Sequence, residues 1–214
     1  MDRFLSETIQ NRIERTSQKL TENGMPAQYV ADSHALIALL KEELPQGASV
    51  SIGGAKTLFE TGVMELLRSG DYAYHDRLGR DVEDENEVFL REREVFFSDY
   101  FFTSTNAITE DGELYNVDGI GNRVAPMTFG PAHVIVIAGA NKIVKDMDAA
   151  LKRMKTIAAP AINIRRQTGN PCISDGKCHD CAKDSRICSF GFVTGRQLTH
   201  GRIRIFILPQ SFGY

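Results

Sequence analysis

The run from His133 to Ala138 is apolar at every position after its first residue. Successive side chains of a strand point to opposite faces, so a strand of this kind must be covered on both. A sheet that needs two covers calls for helices, and the chain supplies them. Leu5, Ile9 and Ile13 recur at helical spacing between Met1 and Asn23, with Arg12, Glu14, Arg15, Gln18 and Lys19 on the other faces, and Gly24 stops that helix. Pro26 suits the first turn of a second helix, with Val30, Ile37 and Leu40 on its apolar side and Pro45 and Gly47 beyond its end. Ala48 to Ile52 reads as a strand that meets Gly53-Gly54 and passes into a helix from Lys56 to about Arg68. A further helix is expected over Glu85 to Phe97, with Val88, Phe89, Val95 and Phe96 available for burial.

Beyond Tyr100 the texture changes. Ala107–Thr109 and Glu113–Val117 flank Asp111-Gly112, a strong hairpin signal. A glycine-punctuated loop, Asp118 to Arg123, leads to Pro131 and the apolar strand. Asp146 to Ala158 is expected to be helical, with Met147, Leu151 and Met154 on one side and Pro160 ending or kinking it. Arg202 to Leu208 alternates as a late sheet strand. Helices alternating with short apolar strands give an α/β class, a mostly parallel central sheet flanked by helices with one local hairpin. The 214 residues suit one domain, 1–214, with a helical segment over 1–45 and a cysteine-rich insertion over 169–190.

With 25 basic against 28 acidic side chains the formal charge is −3, which leaves no global positive field for a nucleic-acid backbone. The apolar runs fall far short of the roughly 20 residues of a bilayer span, and the amino terminus lacks the apolar core of a signal peptide. A cytoplasmic protein with no membrane span is the expectation.

All four cysteines lie in one window, Cys172-x5-Cys178-x2-Cys181-x6-Cys188. In a cytosolic setting disulfides are disfavoured, and a polar, glycine-containing loop (Gly169, Asn170, Pro171, Asp175, Gly176) has little core of its own. Two residues between Cys178 and Cys181 let one turn aim both sulfurs at one ion. Four thiolates suit zinc or an iron-sulfur cluster, and the spacing leaves the choice open; two disulfides or four free thiols are the alternative. His179 and His200 read as surface histidines.

A second constellation is Ser51-Ile52-Gly53-Gly54-Ala55-Lys56-Thr57. A glycine pair between strand and helix lets backbone amides approach an anion, and Lys56 and Thr57 can complete a phosphate or carboxylate cradle. The spacing is not that of a Walker loop. Its plainer reading is a tight turn with Thr57 as helix cap. The third comprises Ser104 and Asn106 with Asp118, Asn122 and Arg123. Arg123 is suited to bidentate carboxylate binding, and Asp118 to acting as a base or orienting a sugar hydroxyl. The plainer reading is that Asn106, Asp118 and Asn122 satisfy turns. The charged stretch from Asp76 to Glu94 reads as a solvated helix and loop, and His34, His75 and His133 share no pattern.

The Ser51-Ile52-Gly53-Gly54 turn, Thr105-Asn106-Ala107, Asp111-Gly112, Asp118-Gly119-x-Gly121-Asn122-Arg123, Pro131 with its strand, and the cysteine quartet occur in an order that resembles the lactate-utilisation protein family, the LUD domain, in its cysteine-bearing branch. The resemblance implies a fold like that of the sugar-phosphate isomerase and CoA-transferase superfamily, with sites at the carboxyl ends of the strands. It gathers Gly53, Gly54, Lys56, Thr57, Ser104, Asn106, Asp118, Asn122 and Arg123 around one cleft. It also implies association with iron-sulfur proteins that oxidise lactate to pyruvate. The expected function is therefore binding of a small anionic metabolite, with a four-cysteine metal centre (Cys172, Cys178, Cys181, Cys188) in that oxidation. The alternatives are a non-redox isomerase- or CoA-transferase-like enzyme with a structural zinc, and a non-catalytic accessory or assembly protein. Fold analogy alone supplies no reaction.

Overall fold

The computed structural model describes residues 2–77 and 84–214. Six strands form the main sheet: β1 (Ala27–Tyr29), β2 (Ser49–Ile52), β3 (Ala73–Tyr74), β4 (Tyr100–Thr103), β7 (His133–Gly139) and β10 (Ile203–Leu208). Every pairing is parallel, in the order β1-β10-β7-β4-β2-β3. The remaining strands, β5 (Ala107–Thr109), β6 (Leu114–Asp118), β8 (Ile143–Val144) and β9 (Phe190–Thr194), make a smaller mixed sheet in the order β8-β5-β6-β9. The helices are α1 (Arg3–Glu22), α2 (Ser33–Glu43), α3 (Lys56–Glu60), α4 (Val63–Leu67), α5 (Glu85–Glu94), α6 (Val124–Thr128), α7 (Met147–Arg153), α8 (Ala159–Arg166) and α9 (Cys172–Asp175).

Strand β7 is covered on both faces, as its composition requires. Ile135 and Ile137 join Phe102, Phe206, Leu36, Leu40, Leu58 and Met64 in the core under α2, α3 and α4. Val134, Val136 and Ala138 join Phe101, Ile203, Ile205, Ile13 and Leu20 in the core under α1, which also takes in Ile108 and Leu114 of the smaller sheet. Each fully buried side chain of this size contributes about 1.5–3 kcal/mol relative to exposure.

The chain departs from the sequence expectations in five places. Ala27–Tyr29 after Pro26 is the edge strand β1, paired with Ile205–Ile207, so the 1–45 segment is not wholly helical; α2 starts only after Asp32, whose carboxylate caps Ala35 N at 2.9 Å. The helix expected over 56–68 is two, α3 and α4, parted at Gly62, which sits at φ 77°. Pro160 does not end the helical run: a wider π turn, Met154–Ala158, carries α7 into α8, whose first turn accommodates the proline's missing amide hydrogen. The buried side of that run is Ala150, Arg153 and Met154 rather than Leu151, because β5 and β6 lie against it. The fifth is β9, which pairs antiparallel with β6 and ties the end of the cysteine segment into the smaller sheet. The expected helix at 85–97 is α5 followed by a tighter turn, Val95–Phe97; part of the charged stretch before it lies outside the described residues.

Among the described residues no helix is long and apolar enough to cross a membrane. Because all six main-sheet strands are parallel, the carboxyl ends of β2, β4, β7 and β10 emerge along one edge, where crevices of open α/β sheets form.

Candidate functional site: a two-chambered cleft and a cysteine wall

At that edge lie two adjoining pockets, one of about 520 Å³ against the cysteine segment, the outer cavity, and one of about 60 Å³ against the sheet, the inner recess, which share Gly54, Asn106, Arg123, Ile162, Arg165 and Tyr214 as lining. The expected residues do come together here. Gly54, Lys56, Thr57, Ser104, Asn106 and Arg123 line the recess, and Asp118 and Asn122 line the outer cavity.

Their roles differ from those expected of them. Arg123 is buried with every donor occupied by the protein itself: Nη1 donates to Ser104 O at 3.0 Å and Asn116 Oδ1 at 2.7 Å, Nη2 to Asn106 Oδ1 at 2.9 Å and Val117 O at 3.0 Å, and Nε stands 3.3 Å from Asp118 Oδ1. A guanidinium has five N–H groups, so none remains for a ligand carboxylate. The other oxygen of Asp118 accepts Arg123 N and Val124 N, each at 2.9 Å, which commits the carboxylate expected to act as a base to fixing the 118–124 loop. Gly53 faces this hub rather than the cavity: a Cβ there would lie 2.7 Å from both Arg123 Cγ and Thr103 Oγ1. Asn106 accepts Val117 N as well as Arg123, and Asn122 donates to Glu92. Thr57 does not cap α3, and Lys56 is paired with Glu60 at 2.8 Å while lying 5.2 Å from the ring centre of Tyr214.

Two cations that motif reading missed carry the site's electrostatics. Lys142, just beyond β7 and only 3% exposed, donates to Thr57 Oγ1 at 3.0 Å and Ser104 Oγ at 2.7 Å in the recess. Burial, then Arg153 and Arg123, push its pKa down to about 7 against a weaker opposing effect of Glu60. Arg77, 6% exposed, donates through Nη1 to Asn122 O at 2.9 Å and stands 3.9 Å from Glu92, and its Nε has no partner among the described residues. Burial lowers its pKa as well, despite Glu92 and Asp118. Lysine after a strand in Gly139-Ala140-Asn141-Lys142 and arginine in a charged stretch look like solvated residues, and only the crossing of chain segments buries them. Arg165, Arg166 and Arg186 add further positive charge to the outer cavity.

The cysteine segment forms that cavity's wall through Asp184, Ser185, Arg186 and Ile187. Arg186 ties its ends by donating to Cys181 O at 2.8 Å and Cys188 O at 3.0 Å, and Asn170 holds Ser185 through O and Oγ. Ser189 N reaches Asp118 O at 2.8 Å. All four thiols are free. Asp180 N points at Cys178 Sγ, 3.4 Å away, the local turn expected of a two-residue knuckle. Cys172 and Cys188 each feel the charges of the other cysteines, though burial is the larger cause raising both thiols. In kind the donors fit a soft tetrahedral centre. In position, no three His, Cys, Asp or Glu side chains among the described residues form a metal-holding group. His179 is engaged with Asp175 at 3.0 Å, and His200 is exposed.

Comparison with known proteins places this architecture. No curated protein matches the chain. The crystal structure of a DUF162 family protein from Deinococcus radiodurans is similar in fold, with a TM-score of 0.51 at 12% identity, covering 92% of this chain and 95% of that one. The LUD domain model matches residues 13–208, from the first buried residue of α1 to the last of β10, and on that match the chain belongs to the LUD domain family.

Proposed function

We propose that this LUD-domain chain binds a small anionic metabolite in the two-chambered cleft, in the lactate-utilisation setting its family name denotes. The observation that carries the reading is Arg77: a guanidinium buried in the cavity lining with its Nε unpartnered among the described residues. An unpaired buried donor costs about 1–3 kcal/mol, and an anion in the cavity removes that cost. Arg165 and Arg166, exposed at the rim, bring the anion in without being tied to carboxylates among the described residues. The volume admits ligands from a hydroxyacid to a phosphosugar, so charge and size together define the class.

Thermal denaturation of the wild type with D-lactate, L-lactate, pyruvate, ribose 5-phosphate or acetyl-CoA tests it. At a ligand concentration 100 times Kd the native state gains about 2.7 kcal/mol. One chemical class should raise the melting temperature, and Arg165→Ala should remove that rise. If none of the five shifts the wild type, the reading fails.

The cysteine segment favours a second element of the proposal, because the residues between Cys181 and Cys188 are themselves cavity wall. Closure of Cys172, Cys178, Cys181 and Cys188 on an ion would fix that wall; zinc would supply a rigid clip and an iron-sulfur cluster a one-electron relay. Anaerobic purification with metal and sulfide analysis distinguishes the two, and metal-free protein with unchanged ligand binding removes this element.

A further inference from the structure

The inner recess holds a group that the binding reading does not use. Lys142 Nζ donates to two hydroxyls, Ser104 Oγ at 2.7 Å and Thr57 Oγ1 at 3.0 Å. Ser104 Oγ gives its one proton to Ile137 O at 2.6 Å and so must accept from the lysine; Thr57 Oγ1 accepts as well when its proton turns to Phe212 O, 3.4 Å away. A neutral amine has two N–H bonds, and both are then used, which leaves its lone pair as the one unengaged direction. A charged ammonium would instead keep a third N–H without a partner. Glu60, the acid nearest in effect, is already bound to Lys56 Nζ and to Gly213 N at 2.6 Å. The roof over the amine is Gly213, where a Cβ would sit 2.6 Å from Thr57 Oγ1 and 3.4 Å from Lys142 Nζ, so only glycine leaves room there.

We propose that Lys142 is a covalent centre: its amine condenses with the carbonyl carbon of a small 2-oxo acid that enters the recess from the outer cavity. The proposal rests on the cleft reading above and deepens it. The lone pair on Nζ forms the C–N bond as the C=O π pair moves to oxygen. Loss of that oxygen as water, with both amine protons, leaves the imine, so one amine and one carbonyl compound give one imine and one water. Protonated, the imine draws electrons from bonds to the neighbouring carbon, and water returns the amine by the reverse path. The recess volume suits a carbonyl compound of two or three carbons, and Arg165, which lines the recess with Lys142, supplies a cation for its carboxylate.

Trapping tests it. The full chain is incubated at pH 7 with pyruvate or glyoxylate and cyanoborohydride, then analysed by intact mass and peptide mapping. One reduced adduct per chain is expected, at Lys142, formed about tenfold or more faster than at surface lysines, whose ordinary pKa near 10.4 keeps them protonated at this pH. Lys142→Met and Lys142→Arg, checked for folding by circular dichroism, should lose the fast adduct. Adducts scattered over surface lysines with Lys142 unmodified, or no adduct from either acid, overturn the proposal. Because mapping uses the wild type, the result stands even if both variants misfold. Ligand-dependent thermal stabilisation without an adduct would overturn the imine alone, whereas absence of both would remove the cleft reading with it.

Discussion

The inner recess and the cysteine wall border the same cleft and hold their polar groups by opposite means. Around the recess, regular elements fix each position: β2 delivers Thr57 through α3, β4 delivers Ser104, β7 delivers Lys142, and the β6–α6 loop delivers Arg123. The wall has one helical turn, α9, and otherwise depends on side chains that reach back to its own backbone, chiefly Arg186 and Asn170. The recess is therefore preorganised, and its charges are perturbed because they cannot move away from one another. The wall rests on side-chain hydrogen bonds rather than on regular elements. On the proposals above, chemistry belongs to the preorganised recess and control of access to the wall of thiols.

The largest expected effect breaks the recess. Arg123→Met strands Asp118, Asn116 and the Ser104 and Val117 carbonyls in a buried setting, and breaking a buried ion pair by removing one partner costs about 3–5 kcal/mol. Urea denaturation should show that loss, with Asp118→Asn destabilising less because the amide oxygen can still accept Arg123 N and Val124 N. Retention of wild-type stability in Arg123→Met would mean that the hub does not organise the cleft.

Next in size is the pH dependence set by Lys142. An amine lowered from an ordinary 10.5 to about 7 binds fewer protons folded than unfolded between those values, so stability rises with pH across that window. The cost of burying it is fully present below about pH 7 and gone above 10.5. The slope is bounded by about 1.4 kcal/mol per pH unit, the worth of one unit of pKa. Groups that bear on the amine are Arg153, Arg123 and Glu60, and the two arginines stay charged throughout. Between pH 7 and 9 the urea midpoint of the wild type should rise relative to that of Lys142→Met. Parallel curves would place the lysine's pKa near its ordinary value and the recess on the same footing as the surface.

These two predictions divide along what the sequence made legible. The strand from His133 was readable as a doubly covered sheet strand because every position after the first is apolar, and the Asp111-Gly112 hairpin because that dipeptide has few other uses. The cleft's membership came through the family resemblance rather than through local spacing, and Gly54, Thr57, Ser104, Asn106 and Arg123 do line one recess. What could not be read was which polar group is spent and which is free. Arg123 looked like a ligand clamp, and only the return of β6 past Asn106 and Ser104 shows its donors consumed. Lys142 belongs to no motif, and the Phe212–Tyr214 segment that crosses above it lies seventy residues on, beyond any local pattern. β1 was hidden by Pro26, which serves a helix start and an edge strand equally well. The two strands that flank the hairpin in the smaller sheet were missed because β8 has two residues and β9 follows the cysteines directly.

The wall provides the third test. Metal uptake by Cys172, Cys178, Cys181 and Cys188 should stabilise the wild type by mass action, about 2.7 kcal/mol at 100 times Kd, and should release protons because burial holds the Cys172 and Cys188 thiols protonated. Cys178→Ser with Cys181→Ser should remove both the gain and the proton release while leaving the metal-free denaturation curve unchanged, as both side chains are only partly buried and form no core. A gain that persists in the double variant would put the metal elsewhere.

The smallest change in stability is the one that joins the two regions. Arg186 reaches the carbonyls of Cys181 and Cys188 from the wall, and the cavity from its other side. Substituting Arg186→Gln keeps a donor but removes the charge and the fork that spans both carbonyls, so the wall should loosen while the recess, built on the sheet, keeps its geometry. Lys142 should then react with the smallest 2-oxo acids at an unchanged or faster rate, since the wall no longer restricts entry, and thermal stabilisation by larger anions should fall. An equal fall for small and large ligands would show that the wall contributes charge to the recess rather than shape to the entrance, and the contrast between a preorganised chamber and a pliable gate would not hold.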